Sequence, residues 1–160
     1  MKFFMLILSI ISLLIAGCGT TEKMIDTPGY RIHRIEGNKL NNVNMELNAQ
    51  KYINKVEKTY FSFIVLDKRG KVPGGVEKLV FIADGKKFTF ENPDKGKAGE
   101  GPNDQLSGSW YRFKATKEKF VAIVFSNEVY ADIKLNRSVV HSQLSQDNLN
   151  KLRKFYNKHK

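Results

Sequence analysis

Few residues in this 160-residue chain are of a type that does covalent or metal chemistry: one cysteine, Cys18, and three histidines, His33, His141 and His159. A single thiol excludes a disulfide framework and a cysteine-based metal centre. Nucleophilic catalysis needs a Ser, Thr or Cys held against a base that is itself oriented. The serines of Ser107-Gly108-Ser109 lack the strand-to-helix context of a G-x-S-x-G elbow. His33 alternates with Ile32 and is expected to face solvent. His141 adjoins Val139 and Val140 and reads as a hydrogen-bonded strand histidine. His159 falls at a frayed helix end, where its charge suits the dipole. None of the three has a His or carboxylate partner at metal-ligand spacing on a helix. Asp84, Glu91, Asp94, Glu100 and Asp104 do not follow a calcium loop. Gly96, Gly99 and Gly101 lack the strand, helix and Gly-Lys-Ser/Thr of a phosphate loop. The expectation is therefore no catalytic residue, no metal and no cofactor; a small hydrolase with His141 as base is the weakest reading.

The clearest chemistry lies at the start. Met1-Lys2 and then Phe3–Ile15 form a charged n-region and an apolar h-region, followed by small residues Ala16-Gly17. This stretch is shorter than the roughly 20 residues of a membrane-spanning helix, so it reads as a signal peptide. Ile15-Ala16-Gly17-Cys18 resembles the lipobox of bacterial lipoproteins. The resemblance implies a signal peptidase that recognises Ile15, Ala16 and Gly17 and cuts before Cys18, whose thiol carries diacylglycerol. It also implies acylation of the new N-terminus, for example with palmitate. Two or more chains give stable attachment where one is marginal. Gly19 replaces the Asp that marks inner-membrane retention in that family, which implies the outer membrane if the envelope has two membranes. Otherwise the anchor lies on the extracytoplasmic face of the cell membrane.

The chain then divides into a signal peptide over 1–17, a lipidated polar tether over 18–29 and one domain over 30–160. Tyr30–Glu36 and Val43–Asn48 alternate as half-buried strands. Asn48–Lys58 is ambiguous, since Tyr52, Ile53 and Val56 fit a short helical spacing. Thr59–Leu66 is aromatic and β-branched, a strand buried on both faces. Leu79–Ala83 and Lys86–Phe90 flank Asp84-Gly85, a type I′ hairpin signal. Asn92–Ser109, with its interleaved Gly, Pro and charges, reads as a long loop. Trp110–Phe113 resumes a strand, and Thr116 caps a helix over 116–125. Glu128–Leu135 and Ser138–Gln143 read as strands. Ser145 caps an amphipathic helix over 145–158 with Leu149, Leu152, Phe155 and Tyr156 on one face. The economical architecture is α+β, a mostly antiparallel sheet or sandwich with helices closing one end. The strand–strand–capped-helix rhythm of Ala131–Phe155 is loosely similar to small envelope proteins of unassigned function, which implies no activity.

Charge narrows the partners. The net charge is +11, and residues 1–17 contribute only Lys2 to it. Such a balance attracts anionic lipids, phosphates or acidic polymers. The cations are 21 Lys and only 6 Arg, and Arg is the residue of bidentate base readout, so nucleic acid is not expected. The densest cluster is Lys151, Arg153, Lys154 and Lys158, which reads equally as a membrane-surface contact or as cations favoured at a helix C-terminus. These features point to a membrane-anchored, non-catalytic binding or assembly accessory for an anionic envelope component or an acidic protein. The alternative is a surface-exposed interaction or inhibitor protein that uses loop 92–109.

Overall fold

The computed structural model describes residues 21–40, 44–54, 59–67, 75–97 and 108–160. The expected signal peptide and the lipobox-like Ile15–Cys18, together with Val43, Val56 and residues 98–107 of the expected loop, lie outside them. Among the described residues, ten strands and two helices follow in order: β1 (Thr21–Asp26), β2 (Tyr30–Glu36), β3 (Met45–Asn54), β4 (Thr59–Asp67), β5 (Val76–Ala83), β6 (Lys86–Glu91), β7 (Asp94–Lys97), β8 (Ser109–Ala115), α1 (Lys117–Val124), β9 (Val129–Leu135), β10 (Val139–Gln143) and α2 (Gln146–His159). All strand pairs are antiparallel and form two sheets, ordered β1-β2-β3-β4-β8-β7 and β10-β9-β5-β6. The α+β class expected from the sequence is the class found.

Alternation along the strands decides what enters the core. Odd-numbered positions of the large sheet, among them Leu47, Ala49, Phe61, Phe63, Val65 and Phe113, join Leu79, Phe81, Phe90, Ala131 and Ile133 of the small sheet in one apolar cluster. Phe63 has ring contacts with Phe81 and Phe90 at centroid distances of 4.7 and 5.8 Å, and with Phe120 of α1 at 4.9 Å. The even-numbered positions Glu46, Asn48, Gln50, Ser62, Ile64 and Leu66 are also buried, on the other face. Thus β3 is not the half-buried strand that its Met45-Leu47 alternation suggests.

Both helices begin at the expected caps. Thr116 Oγ1 accepts from the Lys119 amide at 3.3 Å. Ser145 Oγ accepts from the Asn148 amide at 3.1 Å, and Asn148 Oδ1 accepts in return from the Ser145 amide at 3.1 Å, a reciprocal capping box with Asn in place of the usual acid. Leu149, Leu152, Phe155 and Tyr156 turn inward as the spacing predicts. Asn148 also donates to Asn38 Oδ1 at 2.6 Å and to the Lys39 carbonyl at 3.1 Å, which ties the start of α2 to the β2–β3 connection.

Three further expectations are corrected. Thr21–Asp26, read as part of the tether, is strand β1, in register with β2 from Thr21–Glu36 to Asp26–Arg31. Its polar side chains hid it, because an edge strand with few buried side chains has no apolar stripe to show. Asn48–Asn54, ambiguous with a helix, belongs to β3; pairing with both β2 and β4 overrides the short helical spacing, and Tyr52 stacks between Tyr30 and Tyr60 at 5.5 and 4.9 Å. The loop read over 92–109 contains β7, joined to β8, where Arg112 Nη2 holds Asp94 Oδ2 at 3.1 Å. Gly96 permits this pairing, since a Cβ there would lie 2.5 Å from the Trp110 indole.

The hairpin Lys78–Phe90 forms as read. Asp84 and Gly85 have φ of 45° and 79°, the positive values that a type I′ turn needs. The Asp84 carboxylate also accepts from the amides of Asn127 and Glu128 at 3.1 and 2.9 Å, fixing the turn that leads from α1 into β9.

Candidate functional site

A row of paired residues crosses the large sheet at the end where the helices close it: Met24, His33, Lys51, Phe61 and Ala115 are successive partners from β1 to β8. At the Phe61–Ala115 end lies a cleft of about 630 Å³, lined by Lys51, Thr59, Tyr60, Phe61, Lys114, Ala115, Thr116, Lys117, Glu118 and Lys160. Tyr60, Phe61 and Ala115 supply apolar and aromatic wall. Four lysines against one glutamate supply the charge. Thr116 and Lys117, at the start of α1, bring the positive end of a helix dipole to the same cleft.

Two of the lysines are held in place by aromatic rings and by backbone. Lys114 Nζ lies 5.5 Å from the Tyr60 ring centroid, and Lys51 Nζ lies 5.8 Å from that of Phe61. Lys51 also donates to the His159 carbonyl at the end of α2. Burial, reinforced by the nearby Lys117 ammonium, holds Lys51 below the ordinary lysine value. Burial pushes the Tyr60 phenol up against the opposing pull of Arg112 and Lys114, so it stays a neutral hydrogen-bonding group. The Glu118 carboxylate is held low chiefly by its own backbone N–H and by Thr116, and is the one acid facing the four cations.

At the other end of the row, Glu22, His33 and His159 converge, with ligating atoms all within 4.8 Å of one another. The His33 and His159 rings stack at a centroid distance of 4.1 Å. His159 Nε2 is 2.6 Å from Glu22 Oε1, while Lys158 Nζ holds Glu22 Oε2 at 2.8 Å. Burial first, and the neighbouring His159 second, lower the His33 value. Burial alone would raise Glu22; its hydrogen bonds from Lys158 and His159 outweigh that and lower it.

This geometry revises the sequence-predicted residues one by one. His33 does not simply face solvent, since it is half-buried against His159. Nor is His159 frayed: its side chain is 8% exposed. His141 does pair with a carboxylate, Asp132 Oδ1 at 2.7 Å, but its side chain is 73% exposed, where no enclosing wall shields a base from water. The basic cluster on α2 is largely committed within the molecule. Lys151 pairs with Asp147 and Lys158 with Glu22. Arg153 donates to the carbonyls of Val124 and Ser126 at 2.8 and 2.7 Å, which closes the end of α1. Lys154 is left exposed. The cleft lysines were missed because cross-strand register, absent from any local pattern, is what gathers them.

Comparison of the chain with protein families, with curated proteins and with solved structures finds no match.

Proposed function

We propose that the chain is a lipoprotein of the bacterial envelope, anchored through Cys18 to a membrane, the outer one where there are two, and that its domain binds an anionic amphiphile without catalysing a reaction. The ligand best suited is a phosphate-bearing lipid headgroup with the start of its apolar tail. The cleft between β3, β4, β8 and α1 carries this reading. Its lysines carry a charge that a headgroup would neutralise, and its Tyr60, Phe61 and Ala115 walls accept hydrocarbon, the mixture of apolar lining and few polar groups typical of ligand sites. A free inorganic anion would use only the lysines.

Electrostatics supports an anion over a neutral lipid. Lys51 and Lys117 repel each other across the cleft, and an entering phosphate relieves that repulsion. A basic residue near an anionic surface contributes about 1 kcal/mol, so a cleft of several lysines gives binding that salt weakens. The lipid anchor adds to this by keeping the domain within reach of such headgroups.

Two experiments test the reading. A form covering residues 19–160 should cosediment with vesicles containing phosphatidylglycerol and not with pure phosphatidylcholine vesicles. Replacing Lys51, Lys114 and Lys117 together by Gln should weaken binding at least tenfold, from the same contribution per lysine. Salt-insensitive binding that survives the triple change would refute the cleft. For the anchor, mass spectrometry of the membrane fraction should show Cys18 acylated, and Cys18→Ala should release the protein or leave the leader attached; an unmodified Cys18 in a membrane-bound chain would refute it.

A further inference from the structure

We propose that Glu22, His33 and His159 form a zinc site that pins the first strand to the end of the last helix. This site is distinct from the cleft, although Lys51 borders both, as the cross-strand partner of His33 and a donor to the His159 carbonyl.

Two of the chain's three histidines, 126 positions apart in sequence, meet beside one carboxylate, and the donor atoms of all three residues lie within 4.8 Å. The fold imposes this meeting. Strand register sets Glu22 opposite Ile35 and Met24 opposite His33, so Glu22 and His33 are diagonal neighbours on one face of the β1–β2 pair. The last turn of α2 then lays His159 over both. Ligands at about 2.1 Å from a tetrahedral zinc are separated by about 3.4 Å. Metal entry therefore widens the Glu22–His159 hydrogen bond from 2.6 Å and draws in the remaining donor atoms, which lie within 4.8 Å of one another.

Two imidazoles and a carboxylate suit Zn²⁺ and not the oxygen-loving Ca²⁺ or Mg²⁺. His33 is half-buried and the His159 side chain 8% exposed, while the Glu22 side chain is 34% exposed. That leaves an open side for a fourth ligand, water or an incoming donor, as in three-ligand zinc sites. Lys158 occupies Glu22 Oε2 and so orients Oε1 toward the imidazoles, the outer partner that a ligating carboxylate usually has. Lys158, Arg31 and Lys51 are cations beside the triad and oppose a dication.

The test uses the full chain in neutral detergent micelles, stripped with a chelator, titrated with ZnCl₂ and followed by calorimetry and by long-range ¹H–¹⁵N spectra of the imidazoles. The expected result is one equivalent of zinc and the metal-bound nitrogen shift in two of the three imidazoles. The third, assigned through His141→Gln, should be unchanged. His33→Gln and His159→Gln should each lower zinc affinity at least tenfold, and Glu22→Gln should lower it less, with His141→Gln as the control that does not. The imidazole spectra of the unaltered chain decide the matter even where a variant folds poorly. Absence of zinc uptake, a metal-bound shift at His141, or a shift in only one imidazole would overturn the site.

Discussion

At the scale of single residues, polar side chains that bond in two places fix the connections. Asp84 adopts the positive φ of a tight turn and also accepts amides from Asn127 and Glu128. Those amides, Glu128 first, lower its carboxyl from 3.8. A folded value below the unfolded one means that the folded chain binds fewer protons. The stabilisation is therefore complete above about pH 3.8 and is lost as pH falls through the folded value. Asp84→Asn should unfold at lower temperature at pH 7 and lose less on acidification below pH 3.8 than the unaltered protein does; identical pH profiles would contradict the role. Asn148 is the other such residue, 5% exposed and bonded to Asn38, Lys39 and Ser145. Asn148→Ala strands the buried Asn38 Oδ1 and should cost about 1–3 kcal/mol in urea unfolding.

At the scale of elements, α2 depends on its docking, because an amphipathic helix gains its stability from the face it buries. Leu149 and Leu152 are fully buried against the main core. Leu152→Ala should cost about 2–5 kcal/mol, read from the denaturant midpoint with the slope unchanged. A loss below about 1 kcal/mol would mean that the helix is not packed as described. This helix was legible in the sequence from the Ser145 cap and the Leu149, Leu152, Phe155, Tyr156 spacing. The Asp84-Gly85 hairpin was legible for a similar reason: in both cases the local chemistry and the tertiary environment agree. β1 and β7 were not, because edge strands with polar side chains carry no apolar stripe. β3 was obscured by Asn48 and Gln50, whose burial is decided by the whole sheet and not by their own polarity.

At the scale of the whole molecule, the sites arise from register and helix docking. Lys51 in β3, Lys114 in β8 and Lys117 in α1 have no common sequence pattern, and only the Lys51–Phe61–Ala115 row brings them together. The charge balance correctly announced cations, but the local cluster of Lys151, Arg153 and Lys158 is occupied by Asp147, by the end of α1 and by Glu22. Density of charge along the chain is thus a poor guide to charge that is available in space. The most direct measurement is a titration of ¹⁵N-labelled residues 19–160 with a soluble short-chain phosphatidylglycerol, followed by amide shifts. Changes centred on Thr59–Phe61 and Lys114–Glu118, with weak ones along Lys151–Lys158, are the result predicted; changes centred on Lys151–Lys158, or none at all, would contradict the cleft as the binding site.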